Sequence, residues 1–312
     1  MALLYALPGA VAEGLIWGLM AMGVYISYKI LDIADLTVDG SICTGACVCA
    51  VLLGLGVPAW ASVLIALVVG ALTGVVTGLL HTLLGIPSIL AGILTQLMLY
   101  SVNLVILSGK SLMAIDPRAN TLLVHMSNNN GSIVALVAIV ALTIVSLYLF
   151  FYTEVGLTLK STGDNPDMSR AQGVDVDRNK VIGLAIANGI VAMAGALLAQ
   201  YKGSANINDG RGAIVIGLAA IFIGLSVSLK IKPNFVCSLI GCAGGGIVYY
   251  IVYNMVILMG LKTDYLKMLS AVIVALFLGI PYLKGKYFPK HIDLRPSDLA
   301  GNNQKTGGGR DA

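Results

Sequence analysis

The stretch STGDNPDMSRAQGVDVD, Ser161–Asp177, is a polar island in a chain that is otherwise mostly apolar. Five ionisable residues, a proline and two glycines fall within its seventeen positions. Asp164 or Asn165 can cap a helix, and Pro166 suits the first helical position because the N–H it lacks would have been unpaired there. Gly173 is a natural stop. The island therefore predicts a helix of about two turns over Pro166–Gln172. Asp167 falls in its first turn, where a negative charge suits the helix dipole, and Arg170 lies further along and exposed.

The rest of the chain decides what this helix is attached to. Of 312 residues, 58% are hydrophobic and 11% charged, and the mean hydropathy is +0.91. A soluble domain of that length needs a larger polar fraction to keep its surface wet. The apolar residues come in runs of about 20, long enough to cross a hydrocarbon core of about 30 Å as a helix. In lipid every backbone amide must be paired internally, which leaves helices or a closed barrel. A barrel would show segments of about ten residues alternating in polarity, and the chain has none. The expected fold is all-α: a polytopic helical membrane protein with nine spans, within a range of eight to ten.

The candidate spans are 10–30, 41–56, 59–84, 88–108, 132–152, 181–201, 213–229, 236–259 and 266–282. The second and seventh are short, and each has an Asp-Gly pair close to it, so they read as broken or re-entrant segments. Placing the island inside puts thirteen of the nineteen lysines and arginines on the cytoplasmic side, as the positive-inside rule requires. Lys110, Arg118, Lys202, Arg211, Lys262 and Lys267 then lie outside. Residues 1–285 read as one transmembrane domain with a cytoplasmic loop at 153–180. The remainder, 286–312, reads as a disordered cytoplasmic tail. No removable signal is expected at the N-terminus, which lacks a basic region and cleavage site before the first apolar run.

A faint internal echo accompanies the short spans. Asp39-Gly40 precedes Gly54-Leu55 by fifteen residues, and Asp209-Gly210 precedes Gly224-Leu225 by the same interval. An inverted repeat would produce this, with the first pair towards the cytoplasm and the second towards the outside. Small residues recur every fourth position at Gly14 and Gly18, at Gly70, Gly74 and Gly78, and at Gly241 and Gly245. Such stripes let helices approach closely in lipid. Cys43, Cys47, Cys49, Cys237 and Cys242 sit in Gly/Ala-rich apolar runs and read as small packing residues. His81, His125 and His291 are scattered, so neither a catalytic nor a metal site is expected.

A self-contained channel has little use for one rigid two-turn knob on its cytoplasmic face. A protein that takes up mechanical work from a soluble motor does need one. At this point the segment EVGLTLKSTGDNPDMSRAQGVDVDRNKVIGLAIANGIVAMAGALLAQ resembles the central cytoplasmic loop of bacterial ABC-importer permeases, the group for branched-chain amino acids, ribose-type sugars and related solutes. Gly156, Leu159, Gly163, Asn165, Ala171 and Gly173 occupy matching positions, whereas Ser161 and Ser169 stand where alanine is common. ILDIADLTVDGSICTGACVCAVLL, residues 30–53, resembles the polar break after these permeases' first span, and is similar to a subgroup with a DLTVDGS signature. IPSILAGILTQLMLYSVNLVILSG, residues 86–109, fits the family's proline-led span.

The resemblance covers roughly residues 9–285. It implies two separate cytoplasmic ABC ATPase subunits, an extracytoplasmic solute-binding protein, a second permease in a homodimer or pseudo-dimer, and a place in the bacterial inner membrane. It implies no catalytic residue, no nucleic-acid partner and no cofactor held by this chain, with ATP on the partner subunit. The chain has no GxxxxGK[ST] phosphate loop, as that division of labour requires. Gly163, Asp164, Asn165, Pro166, Asp167, Arg170 and Gly173 are the candidate ATPase-coupling residues. The subgroup points to an amino acid as substrate.

Polar groups that persist inside lipid usually face a cavity or another helix. Asp39, Gly40, Ser41 and Thr44 at the first break, Gln96 in the fourth span and Asn188 in the sixth are the candidates for lining the pathway, with Asp32 and Asp35 at the same break and Asn103 in the fourth span beside them. Their ordinary alternative role is interhelical hydrogen bonding. The rival reading is a secondary transporter driven by an ion gradient, with the acidic group at 32–39 as its sole candidate ion site. A membrane-embedded enzyme would need clustered His, Asp, Glu or Cys, which the spans lack.

Overall fold

The computed structural model describes residues 2–116, 122–126, 129–231 and 234–258, with isolated positions between 268 and 275. Among these residues the helices are α1 (Ala2–Tyr25), α2 (Val38–Gly54), α3 (Ala59–Thr82), α4 (Ser88–Ile106), α5 (Asn129–Phe151), α6 (Glu154–Asp164), α7 (Pro166–Ala171), α8 (Val176–Lys202), α9 (Ala213–Ile231) and α10 (Phe235–Leu258). A π-helical turn, Ile26–Ile30, extends α1. Six helices among the described residues are long and apolar enough to cross a membrane, and α2 and the Ala213–Ser226 part of α9 are shorter apolar helices. The chain is a polytopic helical membrane protein. Eight of the expected spans coincide with these eight helices to within a few residues, apart from an earlier start to α1. The expected span at 266–282 and the tail at 286–312 lie outside the described residues.

An exclusively helical fold needs one correction. Strands β1 (Leu112–Ala114) and β2 (Ser204–Asn206) form an antiparallel ladder, with Leu112 opposite Asn206 and Ala114 opposite Ser204. Three residues per strand is too short for an alternating pattern to stand out in the sequence.

Helix α8 is the central post, packed by α1, α2 and α3. The glycine stripe of α3 explains how closely α3 lies on it: Gly70, Gly74 and Gly78 face Asn188, Leu184 and Val181 in turn. A Cβ on Gly78 would come 2.9 Å from the Cα of Val181, so these positions carry backbone against backbone. The stripe on α1 does the same against α10, where a Cβ on Gly14 would stand 2.6 Å from the Cα of Ile247. Outward from this core, α3, α4 and α5 present Leu72, Val105, Val134 and Leu142 on exposed apolar faces, as a bilayer requires.

Helices α2 and α9 do not run the full length of the bundle. The chain leaves α1 and passes through a non-helical linker at 31–37 before α2 begins, while α9 begins only after β2 and a turn at 207–212. Their N-termini meet. The Asp39 carboxylate accepts the N–H of Gly212 at 2.8 Å and of Ile214 at 2.9 Å, so a residue in the first turn of α2 caps α9. Gly210 lies against the Asp39 carbonyl and donates its N–H to Cys43 Sγ at 3.0 Å.

The junction is level with the middle of α8, where Asn188 meets Ser41 and Gly195 meets Ile42. From there α2 runs towards the C-terminal end of α8, bringing Cys49 to Gln200, and α9 runs the other way, bringing Phe222 to Tyr28. The expectation that the two Asp-Gly pairs lie towards opposite faces is therefore corrected: they are in contact, and it is the two helices that diverge.

Candidate coupling hairpin and membrane cleft

Between α5 and α8 the chain folds into two consecutive short helices. Thr153 caps α6, its side-chain oxygen accepting the N–H of Gly156 at 3.3 Å. Gly156, Leu159 and Thr162 form the buried face of α6. Thr162 Oγ1 accepts from Asn179 Nδ2 on α8 at 3.0 Å. Asn165 alone breaks the helical path, with φ −156°, and its Oδ1 accepts the N–H of Met168 at 3.0 Å. Pro166 then opens α7, with Asp167 in its first turn and Arg170 in its last. Gly173 takes the left-handed conformation, φ +82°, that stops it.

Of the two caps the sequence allowed, the structure uses Asn165, and Asp164 is the last residue of α6. The end of α7 at Ala171 is one residue earlier than expected. Arg170 and Asp177 form an exposed ion pair at 3.4 Å. Helix α6 itself was not anticipated. Its signals were Thr153 as a cap and small or apolar residues at every third position, Gly156, Leu159 and Thr162.

The hairpin rests on the end of α1. Gly163 lies against the Ile30 carbonyl and the Leu31 backbone, where any side chain would collide. Directly afterwards Asp32 has φ +55°, a left-handed conformation costly for a residue with a Cβ. Gly183 of α8 sits against the Leu31 side chain. The loop helices, the end of α1 and the linker to α2 are thus in one continuous contact.

At the far end of that linker is a buried polar network. Asp35, 3% exposed, accepts from Asn188 Nδ2 at 2.6 Å and from the N–H of Thr37 at 2.9 Å. Ser41 Oγ donates to Asn188 Oδ1 at 2.6 Å and shares a hydrogen bond with Thr73 at 2.8 Å. Thr37, Thr77 and Thr95 link α2, α3 and α4 through hydroxyls 2.8 and 3.0 Å apart. Ser41 and Asn188 are therefore placed between α2, α3 and α8. Thr44 is turned back on its own helix, donating to the Gly40 carbonyl at 3.0 Å.

The other three pathway candidates, Asp39, Gly40 and Gln96, come together in a cleft of about 360 Å³ at the α2–α9 junction. Cys43, Leu97, Tyr100, Asn103, Ile207 and Arg211 complete its lining. Arg211 stands over the Tyr100 ring, its Cζ 5.9 Å from the centroid. Asn103 is 1% exposed and its Oδ1 has no hydrogen-bond partner among the described residues. Leaving such an acceptor dry and unpaired costs about 1–3 kcal/mol.

Two short apolar helices thus meet end to end at a polar junction within a bundle of membrane-length helices, with a capped loop hairpin attached to it through the end of α1. Residues 9–280 match the family described as branched-chain amino acid transport system / permease component, and the chain belongs to that family, whose members are transport subunits of ABC importers. The chain is 36% identical over 268 residues to the tyrosine transport system permease protein of Clostridioides difficile (strain R20291), covering 86% of this chain and 88% of that one. It is 32% identical over 277 residues to the uncharacterized protein RP368 of Rickettsia prowazekii (strain Madrid E), covering 88% and 96%. It is 24% identical over 253 residues to the ribose import permease protein RbsC of Escherichia coli (strain K12), covering 78% and 75%. No solved structure matches the chain.

Proposed function

We propose that the chain forms the solute pathway of an ATP-driven importer in the bacterial inner membrane, as a homodimer, with its C-terminus and the 164–173 helix in the cytoplasm. Separate ATPase subunits hold and hydrolyse ATP, and an extracytoplasmic binding protein delivers the solute. The solute class is an amino acid, a reading supported by the similarity to a tyrosine permease. Residues 1–285 act as one membrane unit and 286–312 as a tail.

The observation that carries this reading is the seat of Gly163 on Ile30 and Leu31. A groove on the ATPase that moves α6–α7 pushes on the residues where α1 ends and the linker begins. The linker leads to Asp35, whose hydrogen bond to Asn188 ties it to α8, and then to Asp39, which caps α9. Movement of the loop is thereby passed to the junction of α2 and α9, where the cleft lies. Alternating access follows if that junction is closed in one state and open in the other.

Gentle affinity purification of the tagged protein from its native membrane, with mass spectrometry of what accompanies it, tests the proposal. The expected result is a stoichiometric ATPase that is lost when Pro166–Gly173 is replaced by a Gly/Ser stretch. A protein that purifies alone and transports in proteoliposomes without ATP overturns it. The ion-coupled alternative would then stand, with Asp35 as the first residue to test.

A further inference from the structure

We infer that the cleft at the α2–α9 junction is a recognition point for a small zwitterion, with Arg211 taking its carboxylate and the amide oxygen of Asn103 taking its ammonium. The inference rests on the importer reading above and adds to it a binding site within the permease itself.

Three observations carry it. The first is the free cation. Arg211 is exposed at the cleft and, among the described residues, its guanidinium has the Tyr100 ring as neighbour and no carboxylate in an ion pair. The acid in the cleft lining, Asp39, is already engaged by the N–H groups of Gly212 and Ile214, and Asp209 nearby in sequence is paired with Lys202. A guanidinium placed in this way keeps its planar set of donors for a bidentate anion such as a carboxylate.

The second is the unmet acceptor. Asn103 belongs to the wall of the same cleft, is 1% exposed, and has an amide oxygen with no donor. Interior acceptors are nearly always paired. An ammonium supplies what is missing, because it is all donor.

The third is spacing. Tyr100 and Asn103 are three residues apart on α4, hence neighbours on one helix face. Arg211 stands over the ring of the first of them, its Cζ 5.9 Å from the centroid, and the anion-binding and donor-seeking groups share one cleft whose wall includes the apolar Leu97 and Ile207. An α-amino acid carries its ammonium and its carboxylate on one carbon, with a side chain beyond them, and offers both charges to one cleft. A neutral sugar leaves Arg211 without an anion.

The test uses the full-length permease in lipid nanodiscs and saturation-transfer NMR with four probes. L-Tyrosine has both charges, tyramine lacks the carboxylate, 3-(4-hydroxyphenyl)propanoate lacks the ammonium, and D-ribose has neither. The wild type is expected to favour L-tyrosine over each of the others by about tenfold or more, the scale of one charge-assisted hydrogen bond. Arg211→Met should bring L-tyrosine down to the level of tyramine and leave tyramine unchanged, with Arg211→Lys restoring part of the difference. Asn103→Leu should weaken L-tyrosine and tyramine and leave the propanoate unchanged. A merely structural role for either residue would lower all probes together.

Equal occupancy by all four probes, a preference for ribose, or variants that leave L-tyrosine unaffected overturn the zwitterion site. Purification with an ATPase separates the two levels. With the ATPase present and ATP-dependent uptake intact, such results remove the site and leave the importer. With no ATPase and no ATP-dependent uptake, both fall.

Discussion

Helix α3 against α8 and helix α2 against α9 are two ways of bringing backbones together inside a membrane. In the first, the approach is close and dry along one stripe: Gly70, Gly74 and Gly78 set α3 backbone against Asn188, Leu184 and Val181 of α8. In the second, two helix ends are held by one carboxylate, a thiol and a tight turn, bordered by a cleft of about 360 Å³. The difference is one of reversibility. Close packing of small residues has no second arrangement of similar energy, whereas hydrogen bonds beside a polar cleft can be replaced by water or solute. The α3–α8 contact has the character of a frame and the α2–α9 junction that of a moving part.

Substitutions that strike the two contacts should separate frame from moving part. Gly74→Leu should have the largest effect, because even its Cβ would lie 2.8 Å from the Cα of Ala185. Overpacking costs about 1–3 kcal/mol in a core with some give, and here backbone is opposed to backbone. The expected outcome is loss of the monodisperse peak in fluorescence-detected size-exclusion chromatography. Asn188→Leu comes next. It takes one hydrogen bond from Asp35 and one from Ser41, worth together about 1–3 kcal/mol, and should lower the melting temperature while the protein still assembles.

Asp39→Ala removes the cap of α9, worth about 0.5–2 kcal/mol. It should abolish ATP-dependent uptake while barely moving the melting temperature, with Asp39→Asn partly active because one acceptor oxygen remains. A melting temperature as low as that of the Asn188 variant would place this junction in the frame instead. The smallest effect on stability belongs to Arg170→Ala, since an exposed ion pair is worth about 0–1 kcal/mol. Thermal unfolding should be unchanged, and any deficit should appear in the amount of copurifying ATPase.

Much of this molecule could be read before it was seen. Apolar runs of spanning length gave the helices, and the Asn165–Pro166 and Gly173 signals gave α7, because both kinds of information are local in the chain. The α2–α9 junction was only half visible. The two Asp-Gly pairs stood out by composition, but that Asp39 is a cap for a helix 175 positions away depends on the three-dimensional path. The network joining Asp35, Ser41, Thr73 and Asn188 was hidden for the same reason. Among candidate pathway residues the sequence could mark which were polar and apolar-flanked, not which way each pointed. Ser41 and Asn188 turned towards neighbouring helices, and Asp39, Gly40 and Gln96 towards the cleft.

The cap on α9 also bears on how the polypeptide is made. Helix α9 starts level with the middle of α8, behind Asp209 and Arg211, so it cannot be handed to the bilayer as an ordinary hydrophobic segment with both ends at the surface. It gains a partner for its first amides only when α2, synthesised long before, is already standing in place with Asp39 presented. The second half of the nascent chain is thus completed on a template left by the first, and a ribosome stalled between the two would leave an acid in the membrane with nothing to hold.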